Sequence, residues 1–161
     1  MHTIYGVICM IYDRKKAVDY ALKWALDRNP AYYNYDNIGG DCTNFISQCL
    51  FVGKNQMNYR GYGWYYRNAN EKSPSWTGVE FLYDFLINNK YEGPQGRLIT
   101  RNELEIGDLI QLSFRSNIYG HSLIVTEIDE NDIYICAHSI DSKNRNLETY
   151  EYEKIRFIKI S

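Results

Sequence analysis

Gly39-Gly40-Asp41-Cys42-Thr43-Asn44-Phe45-Ile46-Ser47-Gln48-Cys49-Leu50 is the stretch that decides how this chain folds. Two glycines permit a tight turn. Beyond Asp41, the residues Cys42, Phe45, Ile46, Cys49 and Leu50 recur at offsets 0, 3, 4, 7 and 8, which is one face of a helix. Asp41 reads as the N-cap, and Gly53 as a place where the helix can stop. Cys42 then falls in the first turn. Backbone N–H groups there lack intrahelical acceptors, and the positive end of the helix dipole favours a thiolate. The backbone N–H groups of Cys42 and Asp41 are suited to hold an oxyanion for the same reason. A cysteine at a helix start, with histidines later in the chain, outlines a cysteine hydrolase. The commoner fate of a free cysteine is burial as a small hydrophobe, so the rest of the chain has to decide.

The composition removes several alternatives. A chain of 161 residues is long enough for one domain with a real core, spanning 1–161 with 1–11 as a leading segment or a boundary left by excision. The net charge of −2, without a basic block, argues against nucleic acid as a partner. No apolar run approaches membrane-spanning length. Thr3–Ile11 is mildly apolar but lacks the basic start and cleavage site of a signal peptide, and reads as a first strand or helix. The four cysteines, Cys9, Cys42, Cys49 and Cys136, contain no CxxC pair, so no metal is expected, and no cofactor. Cys42 and Cys49 sit about 10 Å apart along one helix, too far for a disulfide. Cys9, Cys49 and Cys136 read as buried thiols.

Tyrosine is over-represented, with 16 residues, many in two loop-like clusters, Tyr32-Tyr33-Asn34-Tyr35 and Tyr59–Tyr66. Amphipathic surface cover is the ordinary explanation. The functional alternative is an aromatic groove for sugars or an extended peptide, with Tyr35, Trp64, Trp76 and Asp141 as its candidates.

Asp13–Arg28 has a helical stripe of Ala17, Val18, Ala21, Leu22 and Ala25, ended by Asn29-Pro30. The long Lys54–Ser75 loop suggests a binding wall or lid. Thr77 and Glu80 have capping-box spacing before Phe81, Leu82, Phe85 and Leu86. From Leu104 the period shortens to strands: Leu109–Phe114, His121–Ile128, Ile133–His138, Leu147–Tyr152 and Ile155–Ile160, with Asp141–Asn146 as a polar loop. Helices first and a strand meander second predict an α+β fold.

His121 and His138 lie on two consecutive strands. A turn of two residues (Asp129-Glu130) or four (Asp129–Asp132) leaves both on one sheet face, whereas an odd loop or a bulge separates them. On a shared face, His138 can hold the imidazole of His121 while His121 deprotonates Cys42. Asp141 has the opposite parity and is a weaker candidate for that role.

Tyr12-Asp13-Arg14, Ala17-Val18, Tyr20-Ala21 and Asn29-Pro30 resemble the start of the bacterial putative amidase domain. The Gly39–Gln48 segment resembles its central signature. Ser75-Trp76, Gly107-Asp108-Leu109-Ile110, His121-Ser122-Leu123-Ile124-Val125-Thr126 and Ala137-His138-Ser139-Ile140-Asp141 follow in that family's order. That family is similar to the NlpC-like and CHAP cysteine hydrolases, which share a rearranged papain-like core. The resemblance implies Cys42 as nucleophile, His121 as base and a polar third residue where His138 stands. It also implies a peptide or peptidoglycan substrate, and an extracellular or cell-wall setting if the domain belongs to a longer secreted or phage-lysin chain. The expected activity is a cysteine amidase or peptidase. The alternatives are an acyltransferase or transpeptidase using the same dyad, and a non-catalytic peptide- or glycan-binding module.

Overall fold

A computed structural model describes residues 2–4 and 7–161, with side chains from Met10 onward. The backbone opens with a hairpin of β1 (His2–Ile4) and β2 (Val7–Cys9). The side chain of Cys9, expected to be buried, lies outside the described residues. Helix α1 (Arg14–Trp24) starts where Asp13 accepts from the Lys16 N–H, and buries Ala17, Val18 and Ala21. It stops short of the expected Arg28.

Helix α2 (Cys42–Lys54) is the one anticipated, but its ends work differently. The Asp41 side chain makes no capping bond to the helix. Gly53 does not stop it; Asn55, in the left-handed conformation at φ 53°, does. Gly53 serves instead where the chain before α1 crosses, because an added Cβ would lie 2.5 Å from the Tyr12 ring.

The expected lid segment holds a short hairpin, β3 (Tyr66–Asn68) with β4 (Glu71–Lys72). The capping box at Thr77 does not form. Thr77 ends a short helix α3 (Pro74–Thr77), and α4 (Val79–Asn88) begins at Gly78 without a side-chain cap. The Glu80 carboxylate accepts instead from the Tyr119 N–H and pairs with Arg156.

One antiparallel sheet carries the second half. Its strands are β5 (Gly96–Ile99), β6 (Leu109–Ser113), β7 (His121–Asp129), β8 (Asp132–Ala137), β9 (Ser142–Asn146) and β10 (Lys154–Ile160), in spatial order β5-β10-β6-β7-β8-β9. The fold is therefore α+β, as the sequence predicts. Ser142–Asn146, expected as a loop, is the edge strand β9, and Leu147–Thr149, expected in a strand, is a 3-10 turn. One sheet face packs Leu109, Ile124, Cys136, Ile158 and Ile160 against the helices. The other covers Ile110, Leu112, Leu123, Val125, Ile133 and Ile135 with Leu104 and Leu147.

Two of the recognised segments meet at one joint. Tyr12 Oη donates to the Gly107 carbonyl at 2.8 Å, and Arg14 and Lys159 pair with the fully buried Asp108 at 2.7 and 2.8 Å. Asp108 also accepts from the Glu105 and Ile160 N–H groups. These residues anchor the N-terminal helix to the sheet and take no part in the site. No helix among the described residues is long and apolar enough to cross a membrane.

Candidate active site

Helix α2 is polar on several sides and still buried, which is possible only if each polar group finds a partner. Thr43 Oγ1 meets Ser122 Oγ at 3.1 Å. Asn44 donates to the Tyr33 carbonyl and to Asp41, and its Oδ1 accepts from Trp76 Nε1. Ser47 donates to the Trp76 carbonyl and accepts from Trp64 Nε1; Gln48 accepts from Tyr20 Oη. The conspicuous polar residues of the signature thus fix the helix in the core and aim its first residue.

The same bonds correct the expected groove. Trp64 and Trp76 are fully buried, and Tyr35 is 7% exposed. The two indoles bond to Ser47 and Asn44 of α2 and Tyr35 packs edge-on against Tyr33, so they are buried residues and not a substrate wall. Asp141 is tied to Arg28 at 2.8 Å.

Cys42 opens α2 and is 8% exposed. Its Sγ receives the backbone N–H of Ser122 and lies 3.7 Å from Thr43 Oγ1. Burial pushes the thiol above its ordinary value, and the Asp41 carboxylate adds to this; the Ser122 and Thr43 contacts pull the other way. The helix-start thiolate expected from the sequence is thus outweighed by desolvation. Cys49 and Cys136 are fully buried, as expected, and their thiols are pushed up as well.

His121 begins β7, one residue before the Ser122 N–H that contacts Cys42. It is 7% exposed, with ring centroids 5.9 Å from Phe114 and 6.1 Å from Tyr150. Burial, then the positive charge of Arg145, lowers its pKa to about 4. No hydrogen bond to a described residue involves its ring nitrogens, and none joins it to Cys42. Every fully buried side-chain nitrogen or oxygen among the described residues has a partner. The ring nitrogens of His121 are therefore not wholly enclosed, although the side chain is largely desolvated.

His138 lies on the other face of the sheet, which corrects its expected place beside His121. The β7–β8 turn is Glu130-Asn131, with Asp129 paired to Asp132, an even loop that preserves parity. The pairs then jump from Glu127–Tyr134 to Val125–Ile135, leaving Thr126 as an extra residue. This bulge moves everything beyond it by one position. With Ile124 opposite Cys136, the register puts Ser139 opposite His121. His138 instead follows Cys136 onto the helix face and stacks on Phe45, centroids 3.9 Å apart.

Both ring nitrogens of His138 are occupied. Nε2 lies 2.7 Å from the Trp24 carbonyl, which can only accept, so Nε2 carries a hydrogen. Nδ1 lies 2.6 Å from Asp41 Oδ2, and one proton is held between them. No lone pair remains to orient His121, and His138 is not its partner. Asp41 also accepts from the Tyr35 N–H and Asn44 Nδ2, with the Arg28 guanidinium 3.6 Å away. The backbone N–H of Asp41, expected as an oxyanion donor, is given to Ser139 Oγ at 2.6 Å. The contribution of Ser139, which stands at φ 63° in the turn after β8, was missed in the sequence.

An α+β domain whose helix-start cysteine touches the strand begun by a histidine is the class these features define. The chain belongs to the family described as "Putative amidase domain", whose model matches residues 11–161. It is 37% identical over 139 residues to the "Uncharacterized protein YhbB" of Bacillus subtilis (strain 168), covering 83% of this chain and 43% of that protein. It is 24% identical over 143 residues to the "Uncharacterized protein YjcM" of the same organism, covering 83% and 32%. The chain thus spans less than half the length of these curated relatives. No solved structure matches it.

Proposed function

We propose that this domain is a cysteine-dependent amide hydrolase, with Cys42 as nucleophile and His121 as base, acting on a peptide amide of the bacterial cell wall. The observation that carries the chemistry is the contact of Cys42 Sγ with the Ser122 N–H, next to an imidazole whose nitrogens are unengaged. The amidase description of the family supports the reaction class. The order of the chain, a cysteine helix before an antiparallel sheet bearing the histidine, fits a papain-like core related to NlpC-like and CHAP enzymes.

The free site works from neutral partners. Burial holds the thiol up and the imidazole down, so moving the proton from one to the other in the empty site is uphill. Proton transfer is therefore coupled to attack. His121 takes the thiol proton as sulfur bonds the amide carbon, and the carbonyl oxygen becomes an oxyanion beside the Cys42 N–H, which has no intrahelical acceptor. Collapse breaks the C–N bond, His121 protonates the departing amine, and a thioester remains on Cys42. Water, deprotonated by His121, then releases the carboxylic acid and restores the thiol.

Mass spectrometry of a muropeptide mixture incubated with the domain tests this. New amine and carboxyl ends, with a transient acyl adduct on Cys42, are expected; Cys42→Ala should give neither. Cleavage that persists in Cys42→Ala ends the nucleophile assignment. Intact muropeptides beside cleavage of another amide leave the chemistry standing and end the substrate assignment.

A further inference from the structure

A cleft of about 360 Å³ opens beside His121, with Phe114, Ile140, Arg145, Tyr150 and Glu151 in its walls. Arg145 is the unusual member. Arg14, Arg28, Arg60, Arg67, Arg101 and Arg156 each pair with a carboxylate. Arg97, Arg115 and Arg145 have no ion-pair partner among the described residues, and of these three only Arg145 lines the cleft, together with Glu151. The Arg145 guanidinium is nevertheless fixed. Nε donates to Thr149 Oγ1 at 2.8 Å, Nη2 to the Thr149 carbonyl at 3.2 Å, and Cζ lies 3.7 Å from the Tyr150 ring centroid. Nη1 and one hydrogen of Nη2 remain without acceptors among the described residues. A planar fork held by its other edge and one face, with its outer edge open, suits bidentate capture of a carboxylate. Little side-chain entropy is left to lose on binding.

The position ties this fork to the chemistry. Tyr150 is a shared wall, with Arg145 over its ring and His121 6.1 Å from its centroid. We infer that Arg145 anchors a carboxylate subsite, so that the amide cleaved at Cys42 belongs to a substrate carrying a free carboxylate near the scissile bond. The inference deepens the hydrolase reading and rests on it for the position of that bond. It has a consequence for the base. The charge of Arg145 disfavours protonation of His121, and a bound carboxylate offsets that charge. An acidic substrate therefore strengthens the base that it needs.

The probes are N-iodoacetyl derivatives of glycine, β-alanine and γ-aminobutyrate, each beside its carboxamide, with alkylation at Cys42 followed by mass spectrometry. At one chain length the acid should outpace its amide by about tenfold, after correction for reaction with a small thiol. That preference should vanish in Arg145→Gln and survive in part in Arg145→Lys, with folding verified by circular dichroism. Equal acid-to-amide ratios in wild type and Arg145→Gln overturn the subsite. A second readout needs no reaction: glutarate should raise the titration midpoint of His121, followed by NMR, in wild type but not in Arg145→Gln. Absence of that rise in wild type at saturating glutarate also overturns it. Unreactive Cys42 with a His121 that still responds to glutarate keeps the subsite and removes the nucleophile.

Discussion

The two faces of one sheet treat their histidines in opposite ways. On the helix face His138 is 1% exposed, hydrogen-bonded through both ring nitrogens and stacked on Phe45. On the far face His121 is about as buried, yet no hydrogen bond to a described residue involves its ring nitrogens. Saturation marks His138 as a joint: it binds the end of α1, through the Trp24 carbonyl, to Asp41, the residue before Cys42. Lack of engagement leaves His121 able to exchange a proton with something that enters the cleft. Burial alone does not separate these two imidazoles; the hydrogen-bond inventory does.

The largest expected effect separates the two residues by observable. His121→Gln should lower kcat/KM by about a thousandfold, about 4 kcal/mol of transition-state stabilisation, with the fold retained. His138→Ala should act on stability instead. It leaves Asp41 buried with one partner fewer, a loss of about 3–5 kcal/mol for a broken buried pair. Urea unfolding beside steady-state kinetics on both variants reads the contrast. A His138→Ala protein with normal stability and crippled turnover would return His138 to the catalytic role and erase the difference between the faces.

A smaller effect probes the desolvation of His121 directly. Its ordinary value is 6.5 and its folded value about 4. Between those values the unfolded chain takes up a proton that the folded protein refuses. Stability therefore falls as pH drops from 6.5 toward 4, by up to about 3 kcal/mol, and is fully present above 6.5. His121→Gln should lack this component. The difference between wild-type and variant unfolding free energies, taken at pH 7, 6, 5 and 4, isolates it because other titrating groups cancel. Parallel pH profiles would mean that the imidazole is hydrated and that its face is not apolar.

Much of this was legible in the sequence, and the failures have identifiable causes. The 3–4 spacing from Cys42 to Leu50 located α2, and alternation located β6, β7, β8 and β10, because apolar periodicity reports burial. The bulge at Thr126 carried no glycine or proline to announce it, and one extra residue was enough to part the histidines. The edge strand β9 was hidden because Ser-Lys-Asn-Arg-Asn is polar, as edges tend to be. Trp64 and Trp76 looked like groove residues because they belong to an aromatic-rich, loop-like stretch, and an indole is buried only where its N–H finds a partner. The partners, Ser47 and Asn44, sit on α2 and are visible only in three dimensions. Asp41 was recognised as important for a reason that failed: it is a hub for His138, Tyr35 and Asn44 rather than a cap.

The smallest expected effect concerns Asp141, the other candidate for an orienting role. Its carboxylate accepts from Arg28 Nη1 at 2.9 Å and Nη2 at 2.8 Å, and its side chain is 31% exposed. Exposed pairs of this kind contribute about 0–1 kcal/mol, and Arg28 keeps Asp36 as a partner when Asp141 is lost. The pair closes a turn in which Ser139 and Ile140 have φ of 63° and 131°, unusual for residues with a Cβ and costly by about 1–3 kcal/mol each. That turn is also held by the Asp41 N–H bonded to Ser139 Oγ, so it should survive without the ion pair. Asp141→Asn is therefore expected to change stability by less than about 1 kcal/mol and kcat/KM by less than about threefold. A tenfold loss of turnover in a fully folded Asp141→Asn would mean that the carboxylate reaches His121 during catalysis. The far face would then have an orienter after all, supplied by the turn that follows β8 rather than by the strand itself.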